Sequence, residues 1–214
     1  MERILDAAEE VVARKGFENA TVSEIVRRAR SSVGAFYARF RDKDSLLNLL
    51  HERFFEEAMA TSDAALDPAA WQGANIAEIL SELIPFLVRT YREREGLIRA
   101  FIIRGVLDDS FAQIACQLYQ HMSQRLSVLL LERQHEIAHP EPKLAVELGF
   151  RLVASLLDQG ALASNIETLT GSLDDDVLAG QLIRAYLCYL GIEPPLEMLL
   201  PRGTNGAPPC DEPD

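Results

Sequence analysis

Apolar residues recur along this chain at three- and four-residue spacing, and no segment alternates in the two-residue manner of a strand. A first helix is predicted over Glu2 to Lys15, with Ile4, Leu5, Ala8, Val11 and Val12 on one stripe. Gly16 is placed to end it as a left-handed cap, with Phe17 packing back on Val12. A second stripe, Val22, Ile25, Val26 and Ala29, follows Thr21. A third, Val33, Phe36 and Phe40, follows Ser32. Asp42 then opens a longer helix carrying Leu46, Leu47, Leu49, Leu50, Phe54 and Phe55. Asp67-Pro68 and Gly73 interrupt the pattern, with Trp71 between them expected to pack on the helical body. The remainder reads as helices over Asn75–Glu95, kinked at Pro85 and ended by Gly96, then over Leu97–Val106. Next come Ser110 to about Ile137, ended by Pro140 and Pro142, Lys143 to about Asn165, and Asp174 to about Leu190. From Pro194 onward the chain holds six of its ten prolines, which predicts a loosely held tail.

The stretch Thr21–Lys43 carries the candidate chemistry. Thr21-x-x-Glu24 is a capping box, in which the Glu24 carboxylate is expected to reach back to the Thr21 amide. Arg30-Ser31 breaks the helix and Ser32 caps the next one. Two helices of about two turns cannot stand alone in water. A crossed pair held by a small core is a helix-turn-helix, whose second helix enters the major groove. Gly34, Ala35, Tyr37 and Arg39 lie between its apolar positions and point outward. Residues 27–43 hold six basic side chains and one acid in a chain of net charge −12, a local cationic footprint suited to nucleic acid. An ordinary helical core with a solvated basic face is the alternative.

Residues 4–54 resemble the DNA-binding domain of the TetR/AcrR family of transcriptional regulators. The likeness runs through ILDAAEEVVARKGF, TVSEIVRRA and SSVGAFYARFRDKDSLL, with Gly34-x-x-Tyr37-x-x-Phe40 followed by Lys43, Asp44 and Leu46. It implies an all-α fold, with a helix-turn-helix DNA-binding domain at 1–48 joined by the fourth helix to a helical effector-binding and dimerisation domain at 49–193, and a Pro-rich tail at 194–214. It also implies homodimers, repression by default and a small-molecule effector, with the fourth helix as signalling lever. Thr21, Tyr37 and Lys43 are expected to hold phosphates of double-stranded operator DNA, and Ser32, Val33, Gly34, Ala35 and Arg39 to face bases. Two departures stand out. Arg30 occupies the usual turn-glycine position, and Val33 and Ala35 stand where polar residues are common.

The resemblance pairs two late helices with their twofold mates. Leu148, Leu152, Ser155, Leu156 and Gln159 form one stripe, and Leu178, Leu182, Ala185 and Tyr189 the other; Leu152, Leu156, Leu182, Ala185 and Tyr189 are the interface candidates. Filling of the monomer core is the alternative. Phe101, Arg104, Tyr119, Met122 and Phe150, with Phe86, Tyr91 and Phe111, are candidates to line an apolar pocket, or are plain core. Arg99 and Arg104 are candidates for an anionic ligand group.

Charge is uneven: residues 1–60 carry ten basic and eleven acidic side chains, whereas 61–214 carry eleven and twenty-two. Only the basic stretch is therefore expected to approach DNA. Cys116, Cys188 and Cys210 are scattered, which favours free thiols and a reducing compartment. No apolar run approaches the ~20 residues that span a bilayer, and the acidic, amphipathic start is unlike a signal peptide. A cytoplasmic protein without membrane contact is expected. His135-Glu136-Ile137-Ala138-His139 matches the H-E-x-x-H zinc motif, but Pro140 disfavours helical geometry at His139 and no third ligand follows. Asp174-Asp175-Asp176 reads as a helix cap in preference to a magnesium site. No cofactor, metal or catalytic grouping is expected. A ligand-switched regulator is weighed against an all-helical enzyme with a DNA-binding head and against a protein-binding scaffold.

Overall fold

Short polar side chains set the helix starts. The computed structural model describes residues 1–163 and 173–194. Among the described residues there are nine α-helices: α1 (Glu2–Lys15), α2 (Val22–Arg28), α3 (Val33–Tyr37), α4 (Lys43–Ala65), α5 (Ile76–Glu93), α6 (Glu95–Leu107), α7 (Asp109–Leu131), α8 (Pro142–Leu162) and α9 (Asp175–Leu190). The architecture is all-α, as the periodicity predicts, and no strand occurs among the described residues. Thr21, Ser32, Asp42, Asn75, Asp108 and Asp174 each accept a hydrogen bond from an amide of the helix they open. Each such cap is worth ~1 kcal/mol.

Four local expectations are corrected. The Thr21 box forms by half: its Oγ accepts from the Glu24 amide at 3.3 Å, but the Glu24 carboxylate turns to Lys15 (2.6 Å) and Arg14 (3.0 Å). The Lys15 hydrogen bond holds this carboxyl below its usual range. A complete capping box forms instead at Asn75 and Glu78. Gly16 has positive φ (78°) but extended ψ (159°), so it is not a left-handed helical cap, although its amide still reaches the Val12 carbonyl. Gly96 does not stop a helix. It lies within α6, where a methyl group would collide with the Val12 and Ala13 carbonyls of α1. Finally, α7 ends at Leu131, six residues before Ile137. The Arg133 guanidinium binds the carbonyls of Leu129 (2.8 Å), Ala74 (2.6 Å) and Trp71 (2.5 Å), and the amides of Ala138 and His139 both reach the Leu190 carbonyl. These tertiary bonds replace further helical ones. The last turn expected at Asn165, the tail beyond Pro194 and Cys210 lie outside the described residues.

Two apolar cores result. One joins α1, α2, α3 and the first turns of α4 through Val11, Val12, Ile25, Phe36, Phe40, Leu46, Leu47 and Leu50, and continues into Leu97, Ala100 and Phe101 of α6. The other joins α5, α7, α8 and α9, with Trp71 packed on its edge. In it Gly149 of α8 leaves room for the Tyr186 ring of α9, whose hydroxyl donates to the Val146 carbonyl at 2.5 Å. α4 and α6 belong to the first core at one end and face the second group of helices at the other. No helix among the described residues is long and apolar enough to cross a membrane.

Candidate nucleic-acid interface and internal cavity

Helix α3 is five residues long and is pinned on one side only. Phe36 and Phe40 are fully buried with ring centroids 4.9 Å apart, in one core with Ile25, Val26 and Ala29 of the α2 segment. The opposite side is open: Ser32, Gly34 and Arg39 are exposed, Tyr37 is 56% exposed, and Ala35 is half-buried. Spacing groups Val33 with Phe36 and Phe40, but Val33 is 45% exposed. The two phenylalanines fill the small core, and Val33, at the first position of α3, lies beyond its edge. A side chain added at Gly34 would meet nothing closer than the Ser32 hydroxyl at 4.0 Å. Ser32 and Thr21 use their hydroxyl oxygens as cap acceptors but keep their protons to donate outward.

The turn between the helices explains how Arg30 is accommodated. Its φ is +50°, in the left-handed region. The Ser31 amide reaches the Val26 carbonyl (2.8 Å) and the Arg30 amide reaches that of Arg27 (3.2 Å), the paired bonds of a Schellman end.

Lys43 is placed differently from expectation. Its ammonium donates to the carbonyls of Phe17 (2.8 Å), Glu18 (3.3 Å) and Ala20 (3.3 Å) and lies 4.3 Å from the Phe17 ring centroid. An ammonium has three protons, so the side chain clamps the α1–α2 loop to the start of α4 and is not presented to a phosphate. Asp42 already caps α4 through Ser45 at 2.7 Å. Elsewhere in the basic stretch Arg28 pairs with Glu10, Arg39 donates to the Ala35 carbonyl at 2.9 Å, and Arg27, Arg30 and Arg41 are exposed.

Between the two cores is a cavity of about 610 Å³, walled by α4 through α8 and by Tyr186 of α9. Phe101, Tyr119, Met122 and Phe150 line it as expected, with Phe86, Tyr91 and Phe111. Neither Arg99 nor Arg104 does. Arg104 is held 3.8 Å from both Asp44 and Asp108 and lies over the Phe111 ring, which removes it as a ligand contact. Two lining residues escape a reading of the sequence alone. His51 on α4 is stacked 4.2 Å from Phe111 and 4.7 Å from Phe101, and burial lowers its pKa to about 4, so it is neutral at pH 7. Asp158 on α8 accepts from Tyr91 (2.8 Å) and Tyr119 (2.7 Å). The available signals are a histidine one turn beyond Leu47 on an apolar face and an acid beside Val153, Ala154 and Leu157.

On the far side of α8, Leu144, Leu148 and Leu152 are exposed at four-residue intervals, Leu152 by 56%; Leu156 is half-buried. On α9, Ala185 is exposed and Tyr189 half-buried, whereas Leu182 is buried in the monomer core beside Leu178. Leu182 therefore leaves the set of surface candidates. The H-E-x-x-H segment is not a continuous helix: His135 and Glu136 lie in a single 3₁₀ turn, Glu136 accepts from the Ile76 amide, and His139 accepts from the Glu141 amide. No group of three potential metal ligands occurs among the described residues.

Comparison with known proteins agrees with this geometry. Residues 4–50 match the family model for bacterial regulatory proteins, tetR family. Over 58 residues the chain is 36% identical to an uncharacterized HTH-type transcriptional regulator, YvdT, of Bacillus subtilis strain 168; the aligned region spans 27% of this chain and 30% of that relative. Among solved structures, a protein of Mesorhizobium loti MAFF303099 assigned to the TetR family superposes with a TM-score of 0.66 at 17% identity, covering 87% of this chain and 94% of that one. A transcriptional regulator of Rhodococcus sp. Rha1 gives 0.63 at 22%, covering 87% and 95%. The regulator FadR of Bacillus subtilis, in complex with stearoyl-CoA, gives 0.60 at 18%, covering 86% and 96%. Residues 4–50 thus match the helix-turn-helix segment of the tetR family of bacterial regulatory proteins, and most of the chain shares its fold with the solved structures named above.

Proposed function

We propose that the protein is a cytoplasmic, homodimeric transcriptional regulator that represses by binding operator DNA and is released by a small-molecule effector. One observation carries the reading. A helix presenting Ser32, Val33, Gly34, Tyr37 and Arg39 outward is fixed to the same α4 whose later residues, His51, Phe54, Phe55, Ala58 and Thr61, line the cavity. In the DNA-bound state α3 enters the major groove. Val33 and Ala35 suit thymine methyl groups and Arg39 a guanine edge. Thr21 and Tyr37 hold phosphates; Lys43 acts behind them by fixing the loop before α2. The exposed leucines of α8, with Ala185 and Tyr189, suit a twofold interface that sets two α3 helices about 34–36 Å apart.

Occupation of the cavity pushes on α4 and α6, both packed against the head. An effector shifts DNA affinity only by binding the two head spacings with different strength, a coupling of about 1–3 kcal/mol in typical cases. The Bacillus subtilis FadR structure holds an acyl-CoA, which supports the body as an effector site without naming the effector here. A regulator accounts for the exposed α3 face, which an enzyme with its chemistry in the body leaves unused. The test is selection from random duplex DNA by the purified protein. An enriched inverted repeat bound by two chains is expected; recovery of no preferred sequence refutes the proposal.

A further inference from the structure

The charges around the cavity are not balanced, and this inference rests on the cavity being the effector site. Its charged lining consists of the carboxylates Glu57, Glu93 and Asp158 and the guanidinium of Arg94. Arg94 is already engaged by Glu57 (3.0 Å) and Glu9 (3.4 Å). Asp158 is different: no lysine, arginine or histidine pairs with it among the described residues. Its partners are two phenols. Tyr91 lies 2.8 Å from Oδ1, and Tyr119 lies 2.7 Å from each carboxylate oxygen. The two hydroxyls are 3.0 Å apart.

Proton counting shows what is missing. Two phenols own two protons, whereas an ionised carboxylate offers about four acceptor sites and each phenol oxygen offers more. However the two protons are arranged, acceptor positions remain. Burial, reinforced by the neighbouring carboxylate, raises both phenol pKa values, so the phenols stay protonated and add no charge of their own. The surrounding wall is apolar, with Leu87, Met122, Phe150 and Val153. In such a setting an unpaired anion is costly, and a donor-bearing cation relieves it.

We propose that the effector is an amphiphilic cation, an apolar body bearing a protonated amine, whose ammonium sits at Asp158 against Tyr91 and Tyr119. An ammonium supplies the donors and the charge that the cluster lacks, and tyrosine ring faces attract it further. A fatty-acid carboxylate or the phosphates of an acyl-CoA bring like charge toward Asp158 and add acceptors where acceptors are in excess.

The test compares three ligands of one chain length, decylamine, decanol and decanoate, by titration calorimetry on the full protein at neutral pH. Decylamine is expected to bind once per chain at least about tenfold more tightly than decanol, with decanoate weakest. Asp158→Asn is expected to bring decylamine to the level of decanol while decanol binding persists, which also reports an intact cavity. Equal or tighter binding of decanol or decanoate in the wild type overturns the proposal. So does a preference for amine that survives Asp158→Asn. The wild-type comparison decides alone if that variant does not fold. Binding of none of the three refutes the effector site and the ligand class together. Selective amine binding that leaves the protein on its selected duplex supports the ligand class and refutes effector release.

Discussion

Arg30 holds a left-handed backbone (φ +50°) at the turn into α3, a conformation that costs a side-chain-bearing residue roughly 1–2 kcal/mol. Glycine removes that strain but loses more freedom on folding. Arg30→Gly is therefore expected to stabilise the protein by a net of about 0.5–1 kcal/mol, read as a raised urea midpoint at unchanged slope. The exposed arginine also leaves, so DNA affinity is expected to fall slightly even as stability rises. Gly34 separates the two properties more sharply. The space above it is open, and a glycine inside a helix costs ~1 kcal/mol relative to alanine. Gly34→Leu is expected to melt no lower than the wild type and to lose at least about tenfold in duplex affinity, because the added side chain stands between α3 and the groove. Equal affinity in an anisotropy titration contradicts the placement of that face.

At the scale of elements, α4 runs from the α3 segment to the cavity, and Lys43 clamps the α1–α2 loop to its first turn. Lys43→Ala leaves the carbonyls of Phe17, Glu18 and Ala20 without their shared donor. The expected loss is about 1–3 kcal/mol in denaturant unfolding, with little change in the salt dependence of DNA binding, as suits a clamp and not a phosphate contact. Further along α4, burial holds His51 at about 4 against 6.5 in the unfolded chain. As pH falls, the unfolded state takes the proton first. The contribution is full above about 6.5 and is lost progressively as pH falls toward 4, by up to about 3 kcal/mol. His51→Phe keeps a flat ring between Phe101 and Phe111 and is expected to flatten the stability profile between those limits. Most of the helices are legible in the sequence because caps and apolar period agree, as at Ser32 with Phe36 and Asp42 with Leu46. What escapes is tertiary. Gly96 reads as a stop in one dimension, but it is small because α1 passes against it. Lys43 reads as a free cation because its three acceptors lie on a loop more than twenty residues earlier. The α7 end, Asp158 and His51 likewise depend on what neighbouring helices bring to them.

For the whole molecule, the proposed function depends on assembly and charge. The leucine row of α8 has no partner within the described chain, so Leu148→Glu combined with Leu152→Glu is expected to sediment as a folded monomer and to bind the selected duplex more weakly by at least about tenfold, since the two heads are no longer tethered. A dimer that persists places the interface elsewhere. The protein is strongly anionic except around α3, so the proposed attraction to DNA is local and is expected to fade with salt. The most direct measurement is the affinity for the selected duplex between low and moderate salt. Neutralisation of at least four phosphates by the exposed Arg27, Arg30 and Arg41 of two heads predicts a log–log slope of about −3.6 or steeper, at roughly −0.9 per phosphate neutralised. A flat response, with binding indifferent to ionic strength, contradicts the account.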